Sequence, residues 1–165
     1  MAESKIKPVI EDIIDKHYNG DMKQSALDFV AHLRLNKMSP GYAGYAMAWD
    51  AKCKGKTICK VSLGGEKNNQ EWNVMLYLKN SEKYENTVIE EGLQDCVWDN
   101  VTLCGSCDPR NTCTPEDKTK ILIGKEVKGV CRHWYNQIRF WNPNGSDMYK
   151  IKRLLELEQQ ARKSI

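Results

Sequence analysis

Four cysteines are spaced so that their sulfur atoms can hold one metal ion. Three of them fall in the stretch CGSCDPRNTC, residues 104–113, and the fourth follows in a separate segment: Cys104, Cys107, Cys113 and Cys131. Two residues between Cys104 and Cys107, one of them glycine, let both sulfurs face the same point. Four thiolates form the closed tetrahedral set that structural Zn²⁺ favours. The spacing therefore predicts a structural Zn²⁺ site, with His133, two residues after Cys131, as the reserve ligand.

Other chemistry for these cysteines stays open. Four thiolates can also hold a single iron or an iron–sulfur cluster. A redox C-x-x-C pair needs a lowered thiol pKa, which Asp108 and the turn at Pro109 disfavour. Unrelated thiols without a ligand are the remaining interpretation. A closed zinc site stabilises the fold and does no chemistry, but a fourth position that Cys131 does not fill would be open to catalysis.

Length, composition and charge indicate one soluble domain covering residues 1–165. Apolar residues make up 41% of the chain and charged residues 28%, which is ordinary for a globular protein. Acidic residues interrupt the apolar pattern of the first helix, so neither a signal peptide nor a membrane span is expected. The charged first helix therefore predicts a cytoplasmic location. The seven cysteines are an odd number, which argues against a complete disulfide framework.

The first 36 residues predict a helical hairpin. Pro8 fits the first turn of a helix that contains Ile10 and Ile14 at helical spacing. Asn19-Gly20 ends that helix, and Asp21 is the expected cap of a second helix over about 22–36. The stretch 38–47, MSPGYAGYAM, is predicted to be a glycine-interrupted loop.

Alternating residues then predict a mainly antiparallel sheet. The segment 49–63 predicts a hairpin with a three-residue turn at Lys54-Gly55-Lys56, which pairs Ala51 with Cys59 and Cys53 with Thr57. The two cysteines would be diagonal neighbours, too far apart for an unstrained disulfide. Cys53, Cys59 and Cys96 are predicted to be small core residues. The next strand is EWNVMLYLK, residues 71–79, and a short helix follows Ser81.

The second half combines the cysteine loop with further strands and a last helix. A zinc-binding loop is predicted at about 96–131, with short strands broken at Gly124 and Gly129 before Cys131. NQIRFWNP supplies a strand with Ile138 and Phe140 on one side and Arg139 and Trp141 on the other. A turn at 142–145 leads to a C-terminal helix over about 147–163, capped by Ser146. The fold class is α+β: an N-terminal helical hairpin, a mainly antiparallel sheet, a cysteine-rich metal knuckle and a C-terminal helix.

Aromatic residues provide a candidate pocket for a small ligand. Five side chains from the 42–49 segment and the strand at 71–79 are its predicted lining: Tyr42, Tyr45, Trp49, Trp72 and Tyr77. Apolar clefts of this kind hold small molecules. The alternative is that the tryptophans fill the core, because the chain has only two phenylalanines.

The middle of the chain resembles the small bacterial YdhG-like α+β domains. The resemblance covers residues 22–80 and rests on an early helix, the hairpin CKGKTICKVSL and the aromatic strand EWNVMLYL. It implies a bacterial α+β protein, from a fold of which some members are linked to iron handling. The cysteine loop is outside that pattern, so no functional residue is carried over from it.

These observations favour a cytoplasmic, zinc-binding module without catalytic residues, which binds a small ligand or a protein. The alternative is a thiol- or metal-handling protein in which the cysteines exchange electrons or metal. Nucleic-acid binding is the least favoured, because the net charge is only +3 and acids lie among the bases. Its phosphate contacts would be Arg110, Lys118, Lys120 and Lys125.

Overall fold

A computed structural model describes residues 7–64, 71–104, 119–130 and 137–164. These ranges contain five α-helices: α1 (Ile10–His17), α2 (Gly20–Leu35), α3 (Glu85–Glu90), α4 (Gln94–Asp99) and α5 (Gly145–Lys163). The strands are β1 (Gly41–Tyr42), β2 (Ala48–Cys53), β3 (Lys56–Leu63), β4 (Trp72–Tyr77), β5 (Lys120–Leu122), β6 (Lys125–Val127) and β7 (Gln137–Trp141). The α+β class and the antiparallel sheet are confirmed.

The main sheet has five strands in the order β1-β2-β3-β4-β7, and all neighbours are antiparallel. A short 3₁₀-helix, Ser81–Lys83, and helices α3 and α4 follow β4. β5 and β6 form a separate two-stranded hairpin. Because β7 comes after that hairpin in the chain but pairs with β4, the last strand returns to the main sheet across a long connection.

One face of the main sheet forms the core with α1, α2 and α5. Apolar residues at helical spacing are buried in each helix, for example Ile10 and Ile14 in α1 and Phe29 and Leu33 in α2. Full burial of each such side chain contributes roughly 1.5–3 kcal/mol. The predicted helical hairpin is confirmed: α1 packs on α2. Met148, Ile151, Leu154, Leu155 and Ala161 of α5 are buried, as the sequence predicts.

The hairpin of β2 and β3 differs from the prediction at its turn. Ala51 pairs with Cys59 as expected, but Cys53 pairs with Lys56 and not with Thr57. Lys54 and Gly55 both have positive φ, 50° and 75°, which is the geometry of a two-residue type I′ turn. A register shift between Ala51 and Lys52 then compensates for the shorter turn.

Three further predictions need correction. Part of the predicted 38–47 loop is strand β1, which pairs with Trp49 and Asp50. The range predicted as the zinc-binding loop, about 96–131, begins inside α4, which continues to Asp99. Helix α5 is capped by Asn144 rather than by Ser146: the Asn144 side chain accepts from the backbone N–H of Ser146, and Asp147 completes a capping box. An asparagine one residue before the helix presents its oxygen to the free N–H groups, whereas Ser146 already lies inside the first turn.

The segment 100–104 extends the sheet beyond β7. Asn100 accepts a hydrogen bond from the backbone N–H of Arg139, at 2.9 Å, and Thr102 donates to Gln137 through its backbone and its hydroxyl. Val101 and Ile138 form an isolated antiparallel bridge, and Leu103 forms another with Val130. This segment therefore links the last strand of the sheet to the end of the 119–130 range.

Candidate functional site

Cys104 lies at the end of this extension, beside residues that directly precede Cys131 in the sequence. Its backbone N–H donates to the carbonyl of Gly129 at 2.6 Å, and Gly129 has a φ of 75°. Cys107, Cys113, Cys131 and the reserve ligand His133 are outside the described residues. Within the described ranges, no group of three or more His, Cys, Asp or Glu side chains is arranged to hold a metal ion.

The other described cysteines are core residues, as predicted. Cys53, Cys59 and Cys96 are buried and unpaired, so the expectation of no Cys53–Cys59 disulfide is confirmed. Burial, and then the nearby Asp50 carboxylate, raises the pKa of the Cys59 thiol far above its ordinary value. Burial also raises the pKa of Cys96 to about 11. Thiols in this state are poor nucleophiles and poor metal ligands.

The five predicted pocket residues are divided between the two faces of the sheet. Trp49 and Trp72 are fully buried in the core, where the Trp49 indole N–H donates to the Pro8 carbonyl. Tyr42 packs on Trp49, with ring centroids 5.7 Å apart. Tyr45 and Tyr77 instead line a cavity on the second face. The alternative that tryptophans fill the core therefore holds for Trp49 and Trp72.

We call this second-face depression the sheet-face cavity. Its volume is about 410 Å³, within the range of natural small-molecule sites. The turn between β1 and β2 contributes residues at one end, and strands β3, β4 and β7 form the floor. The lining residues are Tyr45, Ala46, Met47, Ala48, Lys60, Ser62, Leu63, Met75, Tyr77, Gln137 and Arg139.

Strand register sets the distance between the two cations of the cavity. Lys60 of β3 is paired with Met75 of β4, and Met75 is paired with Arg139 of β7. Neighbouring strands are about 4.8 Å apart, so the Lys60 and Arg139 backbones are about 10 Å apart. Met75, which is 6% exposed, lies between them as an apolar floor.

Lys60 is held by groups of the neighbouring turn and strand. Its ammonium donates to the Tyr45 hydroxyl and lies 3.6 Å from the Asp50 carboxylate. Desolvation lowers the pKa of Lys60, but the Tyr45 hydrogen bond, Tyr77 and Asp50 together outweigh it, and the net pKa is raised. The pKa of Tyr77 is raised mainly by burial. Lys60 is therefore a cation and Tyr77 a neutral phenol at neutral pH.

Arg139 is held less completely. Its guanidinium lies over the Trp141 ring, 5.4 Å from the centroid, which restrains the side chain by a cation–π contact. Its Nε atom is buried and has no hydrogen-bond partner among the described residues. Because that atom is closed off from solvent, a ligand would reach the guanidinium at its terminal N–H groups. Arg139 and Trp141 also line a second cavity of about 320 Å³, formed with residues 99–103.

Two other cavities have, among the described residues that line them, no partly buried cation that lacks an acidic partner. One of about 360 Å³ is lined by Cys53, Lys54, Lys56, Lys79, Asn80 and Arg162. Its lysines are exposed, and the Arg162 guanidinium already donates to Glu158 and to three backbone carbonyls. The other, of about 500 Å³, lies between the start of α2 and the 142–145 turn and has no lysine or arginine in its lining.

Sequence analysis missed Lys60, Met75 and Arg139 as site residues. The available signal was their position on the outward-facing side of strands whose inward side is apolar. Charged side chains that are half-buried at such positions lie along the outward face of the sheet and are partly shielded from bulk water. Local sequence patterns do not show that β4 pairs with β7. This pairing brings Arg139 opposite Met75.

In the described part of the chain, no helix combines the length and the apolar character required to cross a bilayer. Comparison with protein-family models, with curated proteins and with solved structures gave no match to this chain.

Proposed function

We propose that this protein is a non-enzymatic module that binds a small ligand in the sheet-face cavity, on a fold stabilised by a structural Zn²⁺ site. The observation that carries the ligand-binding proposal is a cavity of about 410 Å³ whose lining includes Arg139, a cation with no acidic partner among the described residues. A ligand with an anionic group would give it one. Polar groups placed in an otherwise apolar concavity are the usual arrangement of small-molecule sites.

The zinc proposal rests on the spacing of Cys104, Cys107, Cys113 and Cys131, and the Cys104–Gly129 hydrogen bond supports it. That bond brings the first of the four cysteines beside the chain that leads, two residues later, to the fourth. A closed site of four thiolates would tie the ends of the 105–118 and 131–136 stretches to the sheet. Its part in the function is to hold β7 and the 100–104 segment, and thereby Arg139, in place.

Binding is tested with three single-ring probes that differ in charge: benzoate, benzamide and benzylamine. Each is titrated into the full chain and followed by ligand-observed NMR. Ser62→Phe fills the cavity from a position near the end of β3, while Ser164→Phe makes the same change at an exposed position after α5. We expect at least one probe to bind the parent and Ser164→Phe, and to lose binding in Ser62→Phe. The proposal is wrong if no probe binds, or if Ser62→Phe binds as the parent does.

A further inference from the structure

The charges that face the sheet-face cavity have one sign. Of the described residues that line it, two are cations, Lys60 and Arg139, and none is acidic. Asp50 is the cross-strand partner of Lys60 and so lies on the same face of the sheet, with its carboxylate 3.6 Å from the Lys60 ammonium, although it is not part of the lining. Lys60 is therefore ion-paired. A ligand in this cavity meets Arg139 as the cation without an acidic partner among the described residues, together with two phenols.

Resting on the function proposed above, we propose that the ligand is a small organic carboxylate with an apolar or aromatic body, its carboxylate bound by Arg139. A guanidinium presents parallel N–H donors that match the two oxygens of a carboxylate. The guanidinium lies over the face of the Trp141 ring, and its Nε is closed off from solvent, which leaves the terminal N–H groups for the ligand. The contact with Trp141 orients the guanidinium before the ligand arrives.

Lys60 has a second role at the opposite end of the cavity. Its ammonium already has the Tyr45 hydroxyl and the Asp50 carboxylate as partners. A hydrogen bond from Lys60 to a ligand oxygen would therefore contribute less to the binding free energy than one from Arg139. The Lys60–Tyr45 contact instead holds the turn between β1 and β2 over the cavity. Tyr42 closes the same turn by donating its hydroxyl to the Ala46 carbonyl at 3.1 Å.

The apolar body of the ligand would lie between the two cations. Met75 forms the floor there, and Met47 and the Tyr45 ring contribute further apolar surface. This surface distinguishes the proposed ligand from inorganic phosphate, which has charge but no apolar body. The volume of about 410 Å³ restricts the ligand to a small molecule.

The test compares affinities of the full chain for benzoate, benzamide and inorganic phosphate. Benzamide has the shape of benzoate without its charge. We expect benzoate to bind roughly tenfold or more tightly than benzamide, because charge-assisted hydrogen bonds exceed neutral ones by about that factor. Phosphate is expected to bind more weakly than benzoate. This comparison needs no variant, so it stands even if a substitution unfolds the chain.

Variants then assign the preference to Arg139. Arg139→Gln should abolish the difference between benzoate and benzamide, and Arg139→Lys should keep only part of it. Lys52→Gln, which removes an exposed cation from β2 outside the cavity, should leave it unchanged. Equal binding of benzoate and benzamide, with both blocked by Ser62→Phe, overturns the ligand class but leaves the proposed function standing. Tighter binding of phosphate than of benzoate also overturns the ligand class. If Ser62→Phe blocks the binding of none of these probes, both the ligand class and the proposed function are overturned.

Discussion

The backbone N–H of Cys104 and the carbonyl of Gly129 are joined by a hydrogen bond of 2.6 Å. If the four predicted cysteines bind Zn²⁺, the purified protein should contain about one zinc per chain, and Cys104→Ala should lose it. Cys96→Ala, a change of a buried core cysteine, should keep it. Metal content by mass spectrometry checks both variants.

Removal of the metal separates a structural site from one that handles metal. A structural Zn²⁺ should resist a mild chelator, and its loss should be accompanied by loss of native circular dichroism. Rapid release with the fold intact would favour the metal-handling alternative. Equal zinc content in Cys104→Ala and the parent would remove Cys104 from the ligand set.

Arg162 and Glu158 form a buried ion pair on α5, and Arg162 also donates hydrogen bonds to backbone carbonyls of the sheet. Glu158 is fully buried and accepts hydrogen bonds from Arg162 at 2.8 Å and from the Tyr84 hydroxyl at 2.7 Å. We expect Arg162→Leu to lower the free energy of unfolding by about 3–5 kcal/mol, because it leaves a buried carboxylate without its cation. Arg153 is on the same helix but pairs with Glu91, which follows α3, in a more exposed position. Arg153→Leu should therefore cost much less than Arg162→Leu, because exposed ion pairs contribute little to stability. Urea denaturation measures both, and similar losses would contradict this role of the buried pair.

The cap of α5 gives a second matched comparison. Asn144→Ala should lower the free energy of unfolding by about 1 kcal/mol, because it removes the acceptor of the Ser146 backbone N–H and half of the capping box. Ser146→Ala removes only a hydroxyl contact with Asn144 and should cost less. Thermal denaturation of the two variants decides between them. A larger loss for Ser146→Ala would restore the cap predicted from the sequence.

Alkylation tests the assignment of the internal cysteines to the core. Only the thiolate reacts with iodoacetamide at a useful rate. A pKa of about 11 leaves Cys96 with roughly a hundredth of the thiolate of an unperturbed cysteine at pH 8, and Cys59 has less still. Peptide mapping of the folded protein should find both residues unmodified, and mapping after denaturation should find both labelled. Fast labelling of Cys59 in the folded chain would contradict its burial and reopen a thiol function for it.

Local sequence patterns predicted those parts of the fold that depend on one element at a time. The spacing of Ile10 and Ile14 indicates α1, and the alternation of Trp72, Val74 and Leu76 indicates β4, because the buried face of an isolated helix or strand has a fixed period. The same alternation placed Arg139 and Trp141 on one side of β7, where the structure has them in contact.

Errors occurred where two conformations fit the same residues. Lys54-Gly55-Lys56 accommodates a two- or a three-residue turn, and the positive φ of Lys54 selects the shorter one. Asn144 and Ser146 are both good helix caps, and the start of the helix decides between them. The cavity was not predictable for another reason: Lys60 and Arg139 are far apart in the chain, and only the β3-β4-β7 strand order places them on either side of Met75.

The most direct test of ligand binding in the sheet-face cavity is a map of backbone amide chemical shifts as benzoate is added to the ¹⁵N-labelled full chain. Binding between Lys60 and Arg139 predicts that the largest shift changes fall on Lys60, Met75 and Arg139. Little change is expected at Lys54 and Lys79, which line the separate cavity of about 360 Å³. Changes concentrated at Lys54 and Lys79, or no saturable change on β3, β4 and β7, would contradict it.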